Sequence, residues 1–117
     1  MNIEELRIYC LNKPAVTEEL PFGPETLVFK VAGKIFLLCP LDETEPGINL
    51  KCEPVYAEEL RENYPEIEPG YHMNKKHWNT VSLCGSLSDD FIKELIEHSY
   101  LQVVKSLPKK LKDEFGL

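Results

Sequence analysis

A chain of 117 residues that is 43% hydrophobic suits one domain around one core, with no need of metal or disulfide staples. Its formal charge of -7 argues against a general nucleic-acid binder, because lysine and arginine contacts to phosphate dominate that affinity. No charged-then-apolar leader is evident and no apolar run approaches the roughly 20 residues of a bilayer span, which reads as a cytoplasmic protein without a membrane role.

In chain order, Asn2-Ile3-Glu4-Glu5 has the form of a capping box, and Ile3, Leu6, Tyr9 and Cys10 recur at helical spacing until Asn12-Lys13-Pro14 stops them. Thr17 to Pro24 reads as a turn-rich loop with Glu18 and Glu19 solvated and Phe22 plugging the core. Thr26 to Val31 and Lys34 to Cys39 predict a hairpin across Ala32-Gly33. Alternation puts Leu27, Phe29, Val31, Phe36 and Leu38 on one face and Val28, Lys30, Ile35 and Leu37 on the other.

Asp42 to Gly47 is an acidic loop, and Ile48 to Cys52 alternates as a third strand with Asn49 and Lys51 pointing away from the core. Pro54 opens a helix that runs to Tyr64 and is ended by Pro65, while Glu68-Pro69-Gly70-Tyr71 predicts a type II turn. In the alternating run from Trp78 to Cys84, Val81 and Leu83 face inward and Trp78, Thr80 and Ser82 outward. Ser88 caps the last helix, whose buried stripe is Ile92, Leu95, Ile96, Ser99, Tyr100, Val103 and Leu107. Lys109 to Leu117 reads as a final turn held by Leu111 and Phe115. The order predicts a single α+β domain over residues 1–117, a two-layer sandwich of an antiparallel sheet with the N- and C-terminal helices on one face and the other face partly open.

Charge is unevenly spread. The stretches Thr26 to Leu41 and Pro69 to Ser88 hold no acid, while the whole chain has 20 acids against 13 bases. The second stretch also carries His72, His77 and the only tryptophan, Trp78. On the open face, Lys30, Asn49, Lys51, Trp78 and Thr80, with His72, Lys75 and Lys76 at the margin, form the pattern that stacks a base and neutralises phosphates. A solvated face with Trp78 covered by the preceding loop is the structural alternative.

His72 and His77 are five residues apart and meet only across a tight turn, so a two-histidine metal site is disfavoured. Cys10, Cys39, Cys52 and Cys84 show no paired spacing and read as free thiols, most of them buried. His98 and Ser99 are helix neighbours that point different ways, and no catalytic fingerprint occurs, so neither catalysis nor a cofactor is expected.

Pro21-Phe22-Gly23, Phe29-Lys30-Val31-Ala32-Gly33-Lys34-Ile35-Phe36, Leu50-Lys51-Cys52, Leu60-Arg61, Tyr71-His72-Met73-Asn74-Lys75-Lys76-His77-Trp78 and His98-Ser99-Tyr100 appear in the order of the MmcQ/YjbR-like family, which the chain resembles over nearly its whole length. The resemblance implies a CyaY/frataxin-like sandwich and a DNA-binding role through a double-wing surface. Lys30, Lys34, Lys51, Lys75 and Lys76 would then contact phosphate, with Trp78 as the stacking or wedge group and His72, Asn74 and His77 beside it. The chain departs from the family pattern at Glu53, where Asp is expected as helix cap, and at Ala15, where Gly is usual. The expectation is a non-enzymatic DNA-binding protein. The alternative is a module for a protein partner or a small anionic ligand, and frataxin analogy adds a third reading, weak iron binding by Glu4, Glu5, Glu18 and Glu19.

Overall fold

The computed structural model describes residues 1–42, 44–70 and 74–117. The elements run α1 (Ile3–Leu11), β1 (Val16–Glu19), β2 (Thr26–Val31), β3 (Lys34–Pro40), β4 (Gly47–Lys51), α2 (Pro54–Asn63), β5 (Ile67–Pro69), β6 (Trp78–Ser82), α3 (Asp89–Ser106) and α4 (Lys109–Phe115). The six strands form one antiparallel sheet in the order β1-β2-β3-β4-β6-β5. Leu6 and Cys10 of α1, Ala57 and Leu60 of α2 and the stripe Ile92, Leu95, Ile96, Tyr100 and Val103 of α3 pack with Phe29, Leu37, Ile48, Leu50 and Val81 in one cluster. All three helices therefore lie on one face of the sheet, the expected α+β arrangement.

Local chemistry accounts for most boundaries. Asn2 and Glu5 form the reciprocal capping box of α1, and Ser88 Oγ accepts from Phe91 N–H at the start of α3. Glu53 caps α2 despite its extra methylene, its carboxylate accepting from Val55 and Tyr56 N–H at 3.1 and 2.9 Å. Those two bonds, Tyr56 first, hold the Glu53 carboxyl below the usual range. Ala32 and Gly33 take φ of 47° and 85°, the two left-handed positions of a two-residue hairpin turn. Ala15 sits at φ 61°, a conformation that favours the glycine expected there.

Five expectations are corrected. The segment read as a solvated loop contains β1, an edge strand whose acids are paired: Arg7 Nε donates to Glu18 at 2.5 Å and Lys30 Nζ to Glu19 at 3.2 Å. Arg7 is also within 3.5 Å of Glu4, and Glu5 is engaged in the α1 cap, so the acids of the iron reading serve α1 and β1. Phe22 does not plug the core; it is 66% exposed on the loop after β1.

The inner face of β3 is shifted. Phe29 faces Leu37 but Lys30 faces Ile35, so Phe36 is one residue extra on β3, and this bulge buries both Phe36 and Leu37 while moving Leu38 to the open side. Gly70 does not take the positive φ of a type II turn. Its N–H donates to Trp78 O at 2.8 Å, and a Cβ there would lie 2.8 Å from Trp78 Cβ, so the glycine permits close approach of two segments. The final residues form a helix, α4, closed by Gly116 at φ 71°; Leu117 packs on the core while Phe115 is exposed.

Candidate nucleic-acid interface

Register fixes which side chains gather at the end of β4 and β6. Lys51 faces Trp78, Asn49 faces Thr80 and Gly47 faces Ser82, so these alternate residues share the open face. After Lys51 the chain turns at Cys52 into α2, and before Trp78 it leaves a tight turn. That turn is held by Asn74: its Oδ1 accepts from Lys76 N–H at 3.0 Å, and its carbonyl accepts from His77 and Trp78 N–H at 3.1 and 2.9 Å. Two outside bonds anchor it, Arg61 Nη1 to Lys75 O and Cys52 N–H to His77 O, at 2.8 and 2.7 Å.

The third wall comes from α3, fastened by His98-Ser99-Tyr100, each of which binds main chain in another segment. Ser99 Oγ donates to Phe36 O at 2.5 Å and accepts from Lys51 N–H at 2.8 Å. The bulge separates β3 from β4 at this point, and the buried hydroxyl replaces the missing ladder bond. His98 Nε2 accepts from Glu53 N–H at 3.1 Å, and Tyr100 Oη donates to Pro14 O at 2.7 Å. His98 Nε2 and Ser99 Oγ are thus both engaged with main chain.

Between these walls lies a cleft of about 540 Å³. Lys51, Pro54 and Trp78 line it from the strand ends, Asn74 and His77 from the turn, and Gln102, Lys105 and Ser106 from α3. Among the described residues, no carboxylate lines it. Lys75 and Lys76 stand exposed on the adjoining turn.

Of the residues named from sequence, the structure brings Lys51, Asn74, His77 and Trp78 together with Lys75 and Lys76 beside them. Lys30 is two strands away and bound to Glu19, and Lys34 is exposed at the hairpin; neither lines the cleft. His72 lies outside the described residues. The open face is not uniformly cationic either, because Glu19 and Glu68 share it with Lys30 and Thr80. Gln102, Lys105 and Ser106 were missed. Their spacing of three and four residues marks a polar stripe on α3 that reads as solvated until the sheet end is placed against it.

A second cleft of about 360 Å³ lies at the opposite end of the same strands. Glu45, Glu66, Glu68, Thr80 and Ser82 line it with Pro46, Gly47 and Pro65. Burial pushes the thiols of Cys10, Cys39 and Cys52 up, to about 12, 11 and 12, so these cysteines stay protonated in the core.

Residues 11–102 match the family model named YjbR. The chain belongs to the YjbR family. The match runs from the end of α1 to Gln102 and so holds Lys51, Asn74, His77, Trp78 and Gln102, with Lys105 and Ser106 beyond it. Similar proteins include the uncharacterised protein YbdF of Escherichia coli O157:H7, 42% identical over 107 residues, covering 92% of this chain and 88% of that one. The uncharacterised protein YjbR of Escherichia coli strain K12 is 37% identical over 110 residues, covering 94% of this chain and 93% of its own. Among solved structures, a Deinococcus radiodurans protein with a DUF419 domain superposes with a TM-score of 0.93 at 39% identity, over 99% of this chain and 88% of that one. A Pseudomonas syringae protein gives 0.77 at 32% identity, over 87% and 98% of the two chains. The YjbR architecture is thus shared along nearly the whole chain.

Proposed function

We propose that this YjbR-family chain is a non-enzymatic DNA-binding protein that takes the phosphate backbone at the sheet-end cleft. The observation that carries this reading is the cleft lining: Lys51, Lys105 and His77 converge with Trp78, and no carboxylate faces them among the described residues. Lys75 and Lys76 extend the cationic rim, and the anchored turn holds them close to the cleft. The lysines that reach this cleft are few, Lys51, Lys75, Lys76 and Lys105, so a few phosphates are engaged rather than a long tract.

Labelled DNA titrated at several salt concentrations tests the proposal. With three phosphate contacts the log affinity falls with log salt at a slope of about -2.7, a loss on the order of 40-fold between about 50 and about 200 mM. A Lys51→Glu, Lys75→Glu, Lys76→Glu variant, which keeps Lys105, is expected to lose most of the affinity and to flatten the slope to that of about one contact. Equal binding by wild type and variant rejects this surface.

A second reading has its own support. The cleft is concave and falls within the roughly 300 to 1,000 Å³ typical of small-ligand sites, which suits a compact carboxylate or phosphate ligand held by Lys51 and Lys105. A thermal shift with a sugar phosphate or nucleotide, and none with DNA, would favour it.

A further inference from the structure

Resting on the DNA-binding reading of the same cleft, we infer that the form of DNA it prefers is an unpaired strand, with a single base stacked on Trp78 and its flanking phosphates between Lys51 and Lys105. Three features of the cleft point this way. It is a recess between strand ends, turn and helix, whereas a duplex is a rod whose bases are already stacked on each other and offer no free ring face to an indole. Gln102 adds an amide with both donors and an acceptor, which complements the base edge that pairing would occupy.

The third feature is electrostatic. A duplex carries a phosphate charge every ~1.7 Å of axis, and the carboxylates of Glu45, Glu66 and Glu68 at the other end of the same strands repel that density beyond the small lysine cluster. Stacking on an aromatic ring needs no counter-charge and tolerates any base, so it contributes to an acidic protein where further phosphate contacts cannot. Trp78 is positioned for this by three main-chain bonds, from its N–H to Asn74 O and to its carbonyl from Gly70 N–H, with Cys52 N–H holding the neighbouring His77 O.

Trp78 is the only tryptophan, so its emission reports on the cleft directly. The chain is titrated with a deoxythymidine oligomer of about twelve nucleotides, with a duplex of the same length and with thymidine monophosphate. The expected result is quenching by the oligomer with at least tenfold tighter binding than the duplex, and weak binding of the monophosphate. Measured by anisotropy of a labelled oligomer, Trp78→Leu weakens binding by roughly 5- to 100-fold and Trp78→Phe restores much of it; a Trp78→Leu loss with no recovery in a folded Trp78→Phe protein counts against stacking.

Duplex binding as tight as the oligomer, and abolished by the lysine reversals, overturns the unpaired-strand inference while leaving DNA binding in place. No binding of either DNA overturns both. Monophosphate bound as tightly as the oligomer also overturns it, in favour of a small anionic ligand.

Discussion

The two ends of the β4–β6 pair are built from the same strands and carry opposite charge. At one end Lys51, Lys105 and His77 surround Trp78; at the other, Glu45, Glu66 and Glu68 surround Thr80 and Ser82. From Gly47 to Lys51 is four strand steps, or about 13 Å, which exceeds the ~8 Å screening length at physiological salt. Each end therefore presents its own field, and the formal total of the chain says little about either. Charge is separated along the strands, not between the two faces of the sheet.

The ends differ in bracing as well. Ser99, His98 and Arg61 bind main chain around the basic cleft, while the acidic end has the Glu66 carboxylate on the Ser86 hydroxyl and N–H, and the hydroxyl above all draws the Glu66 carboxyl below its usual range. The largest stability effect is expected from Ser99→Ala. It orphans a carbonyl and an N–H beside a fully buried site, at a cost of roughly 1–3 kcal/mol, read as a lowered urea midpoint. Ser86→Ala, exposed at the acidic end, is expected to leave the midpoint nearly unchanged. Equal shifts for the two variants would remove the distinction in bracing.

The elements that sequence reading recovers are those where period and burial agree. The stripe from Ile92 to Val103 on α3, the Ala32-Gly33 turn and the alternation of Ile48 to Lys51 and Trp78 to Ser82 are each built as their spacing implies. The bulge at Phe36 left no such mark. Every residue from Ile35 to Cys39 is apolar, so a slip of one position changes nothing in the pattern while it reassigns Leu37 and Leu38. β1 escaped for the opposite reason: Thr17-Glu18-Glu19 looks solvated because its partners Arg7 and Lys30 come from other elements.

Half of the cleft was legible, since Lys51, Asn74, His77 and Trp78 lie in acid-free or alternating stretches. Gln102, Lys105 and Ser106 were not, because a polar helix stripe looks the same whether it meets solvent or a neighbouring strand end. The place of Lys30 outside the cleft has the same root: parity gives a side chain its face but not its ion partner, Glu19.

A smaller effect, in the acid range, bears on the same brace. Burial lowers the His98 pKa from its ordinary 6.5, against the opposing pull of Glu53, and its Nε2 must be unprotonated to accept from Glu53 N–H. The folded state therefore disfavours the proton that the unfolded chain takes up. The stabilisation is fully present above about pH 6.5 and is lost as pH falls through the depressed folded value. Urea midpoints measured from pH 7.5 to 5 are expected to decline in wild type and to decline less in His98→Gln, whose amide cannot titrate. Parallel curves would show that the bond to Glu53 is not what makes this end pH-sensitive.

The smallest expected effect tests whether the two ends are independent. Removing the charges of Glu45 and Glu66 by substitution to Gln takes two negative charges from the far end, level with Gly47 and Ser82, without touching the basic cleft. At about 13 Å through water, unscreened repulsion of a bound phosphate by two carboxylates corresponds to a two- to threefold change in affinity, and screening at about 150 mM salt reduces it to near unity. DNA affinity should accordingly rise about two- to threefold at about 10 mM salt and hardly at all at physiological strength. A rise that persists at high salt would mean that the ligand reaches past Thr80 into the acidic cleft, so that the two ends form one binding surface with a repulsive half.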